Sequence, residues 1–368
     1  MVVAFVAALT SCASSDKASP EGLVPQAVLD AGEGDTQSTL RGPLVRARNV
    51  VLFIGDGMGF GHLDAARSFA NGNTAPLIME TLPVQRRMDT RNALGQITDS
   101  AAGATAFATG RKVSNAVLSL ALPGDGRPLA SALELRQASG AVTGLITRET
   151  PIVDATPAAF AAHRPSRYDA AEIAHQILRV TRPDFVAGVA APFADVTAAL
   201  EAGYFTLAGA DPLGFVSIAQ PGLHRVAWLY EDRHAPPLDE LTSTALAFLS
   251  RHEGGFFLMV ENEGTDTAGH ANDLAHIVEA VLTFDRAVAR GLAFAQARQD
   301  TLVLVTADHE TGGVAIDPGT ARAGQLPQHS FSTFGHTSDH VPVFAFGPGA
   351  EELPQLVQNH ELFNWLAP

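Results

Sequence analysis

A succession of uninterrupted apolar segments, each of strand length and several followed at once by a chemically capable residue, constrains this chain more than any other feature. Asn49-Val50-Val51-Leu52-Phe53-Ile54 leads into Gly55-Asp56-Gly57-Met58-Gly59 and then a helical stretch through Ala70. Ala141 to Thr147, Phe256 to Val260, Thr301 to Thr306 and Val343 to Phe346 repeat the apolar pattern, and helical stretches such as Ala271 to Gln299 separate several of them. Continuous rather than alternating hydrophobicity describes strands covered on both faces, and their alternation with helices describes an α/β fold with a parallel sheet. Open sheets of this kind bind ligands beyond the carboxyl ends of their strands. Asp56, Glu261, Asp308 and His309 all fall there. A single acid in a turn is ordinary, but four such positions point to one shared edge.

The stretch Thr98-Asp99-Ser100-Ala101-Ala102-Gly103-Ala104-Thr105-Ala106-Phe107-Ala108-Thr109-Gly110 predicts a helix whose first turn carries Ser100 beside unsatisfied backbone N–H groups, an end that attracts anions. Its alanines and Gly103 leave room for a ligand or metal to approach the backbone. In isolation the pair would read as a Ser N-cap on a core helix. The rest of the chain argues for more. In Glu261-Asn262-Glu263-Gly264-Thr265-Asp266-Thr267-Ala268-Gly269-His270, Asp266 and His270 are four apart, so a helical turn beginning near Asp266 puts both on one face at a spacing suited to zinc. Asp308-His309 and the loop histidine His336 complete two carboxylate-plus-imidazole sets, which suit a pair of zinc ions.

The formal charge of −15 argues against a nucleic-acid or anionic-membrane partner. An anionic substrate would need bound cations or a few placed arginines to reverse that field locally. The one cysteine, Cys12, excludes an intrachain disulfide and a cysteine-rich zinc site. Val2 to Leu9 is a short apolar run followed by Leu9-Thr10-Ser11-Cys12, which resembles a bacterial lipobox, with ordinary signal cleavage near Ala13 or a plain apolar tail as the alternatives. The expectation is a signal segment over 1–12, a flexible tether over 13–43 and a single catalytic domain over 44–368, exported and either periplasmic or lipid-anchored through Cys12. Between Tyr168 and Pro237 there is no chemical motif, and this part is expected to complete the sheet and the rim. The tail after Gly347-Pro348-Gly349 reads as a short final helix.

In order along the chain, Ile54-Gly55-Asp56-Gly57-Met58-Gly59, Thr98-Asp99-Ser100-Ala101-Ala102, Asp154-Ala155-Thr156-Pro157, Glu261 through His270, Thr306-Ala307-Asp308-His309 and His336-Thr337 resemble segments of the alkaline phosphatase family. The resemblance implies a three-layer α/β/α sandwich around a large, mostly parallel sheet, two zinc ions, one magnesium ion, and hydrolysis of small phosphate monoesters through a phosphoseryl intermediate on Ser100. Carried over by position, Asp266, His270 and His336 would hold one zinc, and Asp56, Asp308 and His309 the second, with Ser100 as its exchangeable ligand. Asp56 would also bridge to magnesium held by Thr156 and Glu261, with Asp154 ordering its waters; the carboxylate at Asp154 favours magnesium over a third zinc. Arg167 falls where the family keeps its phosphate-binding arginine, with Arg164 as rival and a surface cation as the plain alternative for either. Dimerisation is usual in the family.

Thr267 departs from the pattern, since many relatives carry Lys or His there. A phosphodiesterase or sulfatase of the same superfamily would resemble a threonine or modified cysteine at the nucleophile. A non-catalytic metal- or phosphate-binding lipoprotein would lack a ligand or the nucleophile. Both are disfavoured by Ser100 and the full ligand set. Of the remaining histidines, His62, His175, His224, His234, His252, His276 and His360 are expected at surface or capping positions. His163, His329 and His340 lie near site segments, with ordinary loop or helix positions preferred over the substrate rim.

Overall fold

The computed structural model describes residues 46–207 and 222–368. Its strands are β1 (Asn49–Gly55), β2 (Val84–Asp89), β3 (Val142–Pro151), β4 (Phe185–Val189), β5 (Phe205–Leu207), β6 (Val226–Tyr230), β7 (Phe256–Asn262), β8 (Thr301–Thr306), β9 (Glu310–Thr311), β10 (Ala315–Ile316), β11 (His329–Ser330), β12 (His336–Thr337), β13 (Val341–Phe346) and β14 (Leu356–Gln358). Ten of them form one sheet in the order β14-β2-β13-β8-β1-β7-β3-β4-β6-β5. Every pairing in it is parallel except those of β13, which runs antiparallel to β8 and β2. The expected mostly parallel sheet is therefore present.

The apolar run of β1 is buried at every residue because helices cover both of its faces. Phe53 meets Phe284 of the helix Leu274–Arg298 edge-on, with ring centroids 6.1 Å apart. A Cβ at Gly291 of that helix would lie 2.6 Å from the Phe53 ring, so glycine permits the close approach. On β7, Phe257 pairs in register with Val50, which points to the face opposite Phe53. It packs on Phe160 of the helix Ala155–Ala161 at 5.7 Å. Each fully buried phenylalanine contributes about 2–3 kcal/mol, which explains why these strands carry no polar face.

The register also positions the site. Ile54 lies opposite Glu261 on one side and Thr306 on the other. Asp56, Glu261–Glu263 and Asp308–His309 thus leave the sheet at the same level, as expected for a parallel sheet.

Two local readings need correction. The helix expected over Ala271 to Gln299 is interrupted: one helix ends at Ala271, Asn272 is left-handed (φ 55°), and Asp273 caps Leu274–Arg298 by accepting from the N–H groups of Ala275 and His276. The tail is more than a helix, because β14 pairs in parallel with β2 before a short helical turn at Phe363–Leu366. His62 takes the capping alternative of the two expected for it: it is fully buried, and its Nδ1 accepts from the Gly59 N–H at the start of the helix Phe60–Asn71.

That buried imidazole gives a pH prediction. Burial pushes His62 down to about 4, against an ordinary value of 6.5 in the unfolded chain. Between these values the unfolded chain takes up a proton that the folded one refuses. Stability that is complete above pH 6.5 is therefore lost progressively as the pH falls towards 4, by about 3 kcal/mol in all. His62→Gln keeps an acceptor for Gly59 and removes the titration. In urea titrations of metal-free protein, the variant should lose about 2 kcal/mol less than the parent between pH 7 and pH 4.5. Equal losses would refute this account.

Candidate active site

Asp56 follows β1, and the turn that carries it depends on Gly57, which has φ of 70°. A Cβ there would lie 2.7 Å from Thr311 Oγ1 and 2.9 Å from the Asp266 Cα, so the turn can lie against both segments only with glycine. The Gly57 N–H donates to Asp308 Oδ1 at 3.2 Å, which ties the end of β1 to the end of β8. Opposite them stands the helix Ser100–Thr109. Its N-cap is Asp99, which accepts from the Ala102 N–H at 3.0 Å, so Ser100 is the first helical residue and is free of the capping role. Gly103 has the close approach expected of it, since a Cβ would meet the Asp308 carbonyl at 2.9 Å.

These elements converge on His309. Its Nε2 is 3.4 Å from Asp56 Oδ1, 3.3 Å from Asp308 Oδ2 and 3.3 Å from Ser100 Oγ. All four residues are buried, and Asp56 Oδ1 and Asp308 Oδ2 have no hydrogen-bond partner among the described residues. A second group lies alongside: His270 Nε2 is 3.4 Å from Asp266 Oδ2, His336 Nε2 is 3.5 Å from Asp266 Oδ1, and the two Nε2 atoms are 3.2 Å apart. His336 arrives through β12, whose antiparallel pairing with β9 sets it opposite Thr311, and its ring stacks on His309 at 3.6 Å.

The outer nitrogens fix which lone pairs face inward. His270 Nδ1 is 2.6 Å from the Phe334 carbonyl and His336 Nδ1 is 2.9 Å from the Thr98 carbonyl, so each Nδ1 carries a proton and the neutral form of each ring presents its lone pair at Nε2. Thr311 Oγ1 donates to Asp266 Oδ1 and accepts from His309 Nδ1, which leaves His309 Nε2 in the same state. Three inward imidazole lone pairs beside three carboxylates form a donor set fitted to zinc.

A third group gathers Asp56, Glu261 and Glu263, whose ligand oxygens lie within 4.8 Å of one another. Thr156 Oγ1 donates to Asp56 Oδ2 at 3.2 Å, while both Glu261 oxygens are buried without a partner. Burial, then neighbouring acids, hold Asp56 well above the carboxylate range, and burial lifts Glu261 to about 8 and Asp308 to about 7. Burial alone would also raise Asp266, but its hydrogen bond with His270 and the nearby His309 keep it below that range. The same hydrogen bond lifts His270 to about 9, so its Nε2 carries a proton that must leave before a metal could bind there. Acids crowded this closely in a buried space are matched by divalent cations.

Arg167 lies at the edge of the centre, donating to Asp154 Oδ1 at 2.9 Å, with Nη1 3.6 Å from Asp99 Oδ2. Burial opposes its charge, but Asp154 and Asp99 hold it firmly protonated. Arg164 instead pairs with Asp169. Asp154 caps the helix that carries Thr156 by accepting from the Ala155 N–H at 2.6 Å. Thr267 is exposed beside the ligands. His163 is tied to Glu134 and the Ser119 carbonyl, which gives it an ordinary loop position away from the rim. The residue that sequence reasoning missed is Glu263; its signal was a second acid two positions after Glu261 at a strand end.

A family model described as alkaline phosphatase matches residues 47–189 and 216–330. The chain belongs to the alkaline phosphatase family. Similar members include the streptomycin-6-phosphate phosphatase of Streptomyces griseus, 33% identical over 91% of this chain and 93% of that protein, and the alkaline phosphatase of Escherichia coli, 29% identical over 90% and 88%. Among solved structures, a variant of TAB5 alkaline phosphatase with magnesium bound in its M3 site superposes with a TM-score of 0.78 at 30% identity, covering 88% of this chain and 97% of that one. As a member of the alkaline phosphatase family, the chain is a metal-binding phosphoric monoester hydrolase.

Proposed function

We propose that the chain hydrolyses small phosphate monoesters through a phosphoseryl intermediate on Ser100, in a centre that holds two zinc ions and one magnesium ion. The observation that carries this reading is Ser100 Oγ lying 3.3 Å from His309 Nε2, where Asp56 and Asp308 also converge. Asp266, His270 and His336 would hold one zinc, Asp56, Asp308 and His309 the other, and Asp56, Glu261 and Thr156 the magnesium, with Asp154 beside it. When bound, these cations supply Lewis acidity, lowering the pKa of a hydroxyl or water and taking up charge on oxygens around phosphorus. The magnesium in the TAB5 variant supports the third position.

Ser100 Oγ gives up its proton and attacks phosphorus in line with the ester oxygen. The new P–O bond forms as the bond to the alcohol breaks, and the alcohol departs with a proton. Water then attacks phosphorus from the vacated side, and phosphate leaves as Ser100 regains its hydroxyl hydrogen. Arg167 can grip two non-bridging oxygens with its planar fork, oriented by Asp154 and Asp99. The positive end of the helix Ser100–Thr109 adds attraction for the anion.

Arg167→Ala should therefore lower kcat/KM for a monoester by about 10- to 100-fold and weaken inhibition by inorganic phosphate. Arg164→Ala, which removes a pair with Asp169 only, should stay within about twofold of the parent. Steady-state kinetics with phosphate as competitive inhibitor separates the two; equal effects would remove Arg167 from the phosphate site.

The reading as a whole is tested by offering the zinc- and magnesium-loaded protein a chromogenic phosphate monoester, the matching diester and the sulfate ester. Turnover of the monoester that chelation abolishes supports it. Inertness towards all three would favour a binding protein, and preference for the diester or sulfate would move the chain to another branch of the superfamily. The same proposal includes an exported protein, periplasmic or lipid-anchored at Cys12, with a tether over 13–43, a catalytic domain over 44–368 and a homodimeric assembly. Cys12 and residues 13–43 lie outside the described residues. No described helix is long and apolar enough to cross a membrane. Mass spectrometry of the protein recovered from membranes would reveal acylation at Cys12.

A further inference from the structure

The geometry points to Glu263 as a third carboxylate ligand of the magnesium position, adding charge to an oxygen-only site and strengthening its preference for a hard divalent cation over zinc. This rests on the three-metal reading above and adds a residue to it. The ligand oxygens of Asp56, Glu261 and Glu263 lie within 4.8 Å of one another. Glu261, 1% exposed, belongs to that group and has both of its oxygens buried without a hydrogen-bond partner among the described residues. Unsatisfied buried carboxylate oxygens are costly unless a cation meets them.

The ordinary roles for an acid at this place are unfilled. Glu263 is the N-cap residue of the helix Gly264–Ala271, yet its side chain makes no capping hydrogen bond. Among the described residues its carboxylate has no Arg or Lys partner: nearby Arg148 pairs with Glu149 at 2.5 Å, and Arg167 is held by Asp154 and Asp99. Its backbone is pinned from two sides, the N–H donating to the Arg148 carbonyl at 3.2 Å and the carbonyl accepting from the Asp266 N–H at 3.0 Å. A Cβ at Gly264 would lie 2.4 Å from Glu149 Oε2, so the following residue packs directly on the end of β3. Glu263 is thereby held beside a ligand group rather than swung into solvent. With the Thr156 hydroxyl, the set offers oxygen atoms alone. Magnesium and manganese accept such donors, whereas zinc prefers nitrogen and sulfur.

The test uses full-length protein stripped of metal, loaded with two equivalents of zinc, and titrated with Mn2+ as the probe by electron paramagnetic resonance, then with Mg2+ as competitor. The parent should take one Mn2+ that Mg2+ displaces. Glu263→Gln should weaken that site by about 10- to 100-fold and let zinc compete for it, while Glu261→Gln should abolish it. Metal-free Glu263→Gln should melt at or above the parent, because one of three crowded acids is gone; this separates lost affinity from misfolding. Parent-like Mn2+ affinity in Glu263→Gln, alongside its loss in Glu261→Gln, would overturn the assignment and leave the three-metal reading standing. Failure of the parent to bind Mn2+ beyond its two zinc ions would remove both.

Discussion

Ser100→Ala is expected to lower kcat for a phosphate monoester by about 10³-fold or more, with the fold and the metal content unchanged. The size follows from the absence of a substitute: the route through a phosphoseryl intermediate ends when Oγ is removed, and direct attack by water lacks the positioning that the helix gives to Ser100. The unchanged fold follows from the local structure. Ala is a strong helix former, and the N-cap belongs to Asp99, which keeps its bonds to the N–H groups of Ala102 and Ala116. Asp56, Asp308 and His309 keep one another as neighbours. The check is turnover alongside metal analysis, with an acid quench to look for phosphate on the peptide that contains residue 100. More than about a tenth of parental kcat in a fully metallated variant would exclude Ser100 as the nucleophile.

What the sequence made legible follows from how parallel sheets are built. A strand covered on both faces must be apolar throughout, so β1, β7 and β8 announced themselves, and the acids at their ends were already aligned by position. Their parallel register then makes sequence position at the strand end nearly equivalent to position in space, as the pairing of Ile54 with both Glu261 and Thr306 demonstrates. The weaker signals were those set by tertiary context. β2 carries the polar run Gln85-Arg86-Arg87 between buried ends and so lacks the continuous apolar stretch of the central strands, and β14 is only three residues long. The helix break at Asn272-Asp273 was written in residues that favour a left-handed turn and an N-cap, but the helical periodicity on either side obscured it.

The site divides in the same way. Asp266 and His270 were legible together because four residues make one helical turn. His336 lies 66 residues beyond His270, and only the pairing of β12 with β9 explains their meeting; that contact was available from family resemblance and not from spacing. The distinction between Arg164 and Arg167 likewise required the structure, since both are three-dimensionally close to acids and only Arg167 reaches Asp99, next to Ser100. Glu263 was passed over because the family pattern assigns nothing to it.

Asp56→Asn should produce the largest combined loss in metal binding and turnover, because this one carboxylate serves two groups. Oδ1 faces His309 Nε2 at 3.4 Å, and Oδ2 accepts from Thr156 Oγ1 at 3.2 Å beside Glu261. The amide keeps the volume but replaces one oxygen by a donor and removes the charge, so neither position retains its bridging ligand. The loaded parent should gain about 2.7 kcal/mol of stability for each site at a free metal concentration 100 times its Kd, or about 8 kcal/mol for three sites. Asp56→Asn should keep the gain from one site alone, a difference of about 5 kcal/mol, with kcat down by about 10³-fold or more. Asp266→Asn touches one group and should forfeit only about 2.7 kcal/mol. Metal content by mass spectrometry and urea titration with and without metal read both quantities independently of turnover. If Asp56→Asn lost a single ion, as Asp266→Asn is expected to, the two groups would not share Asp56, and the centre would be two separate sites rather than one connected set of cations around the serine.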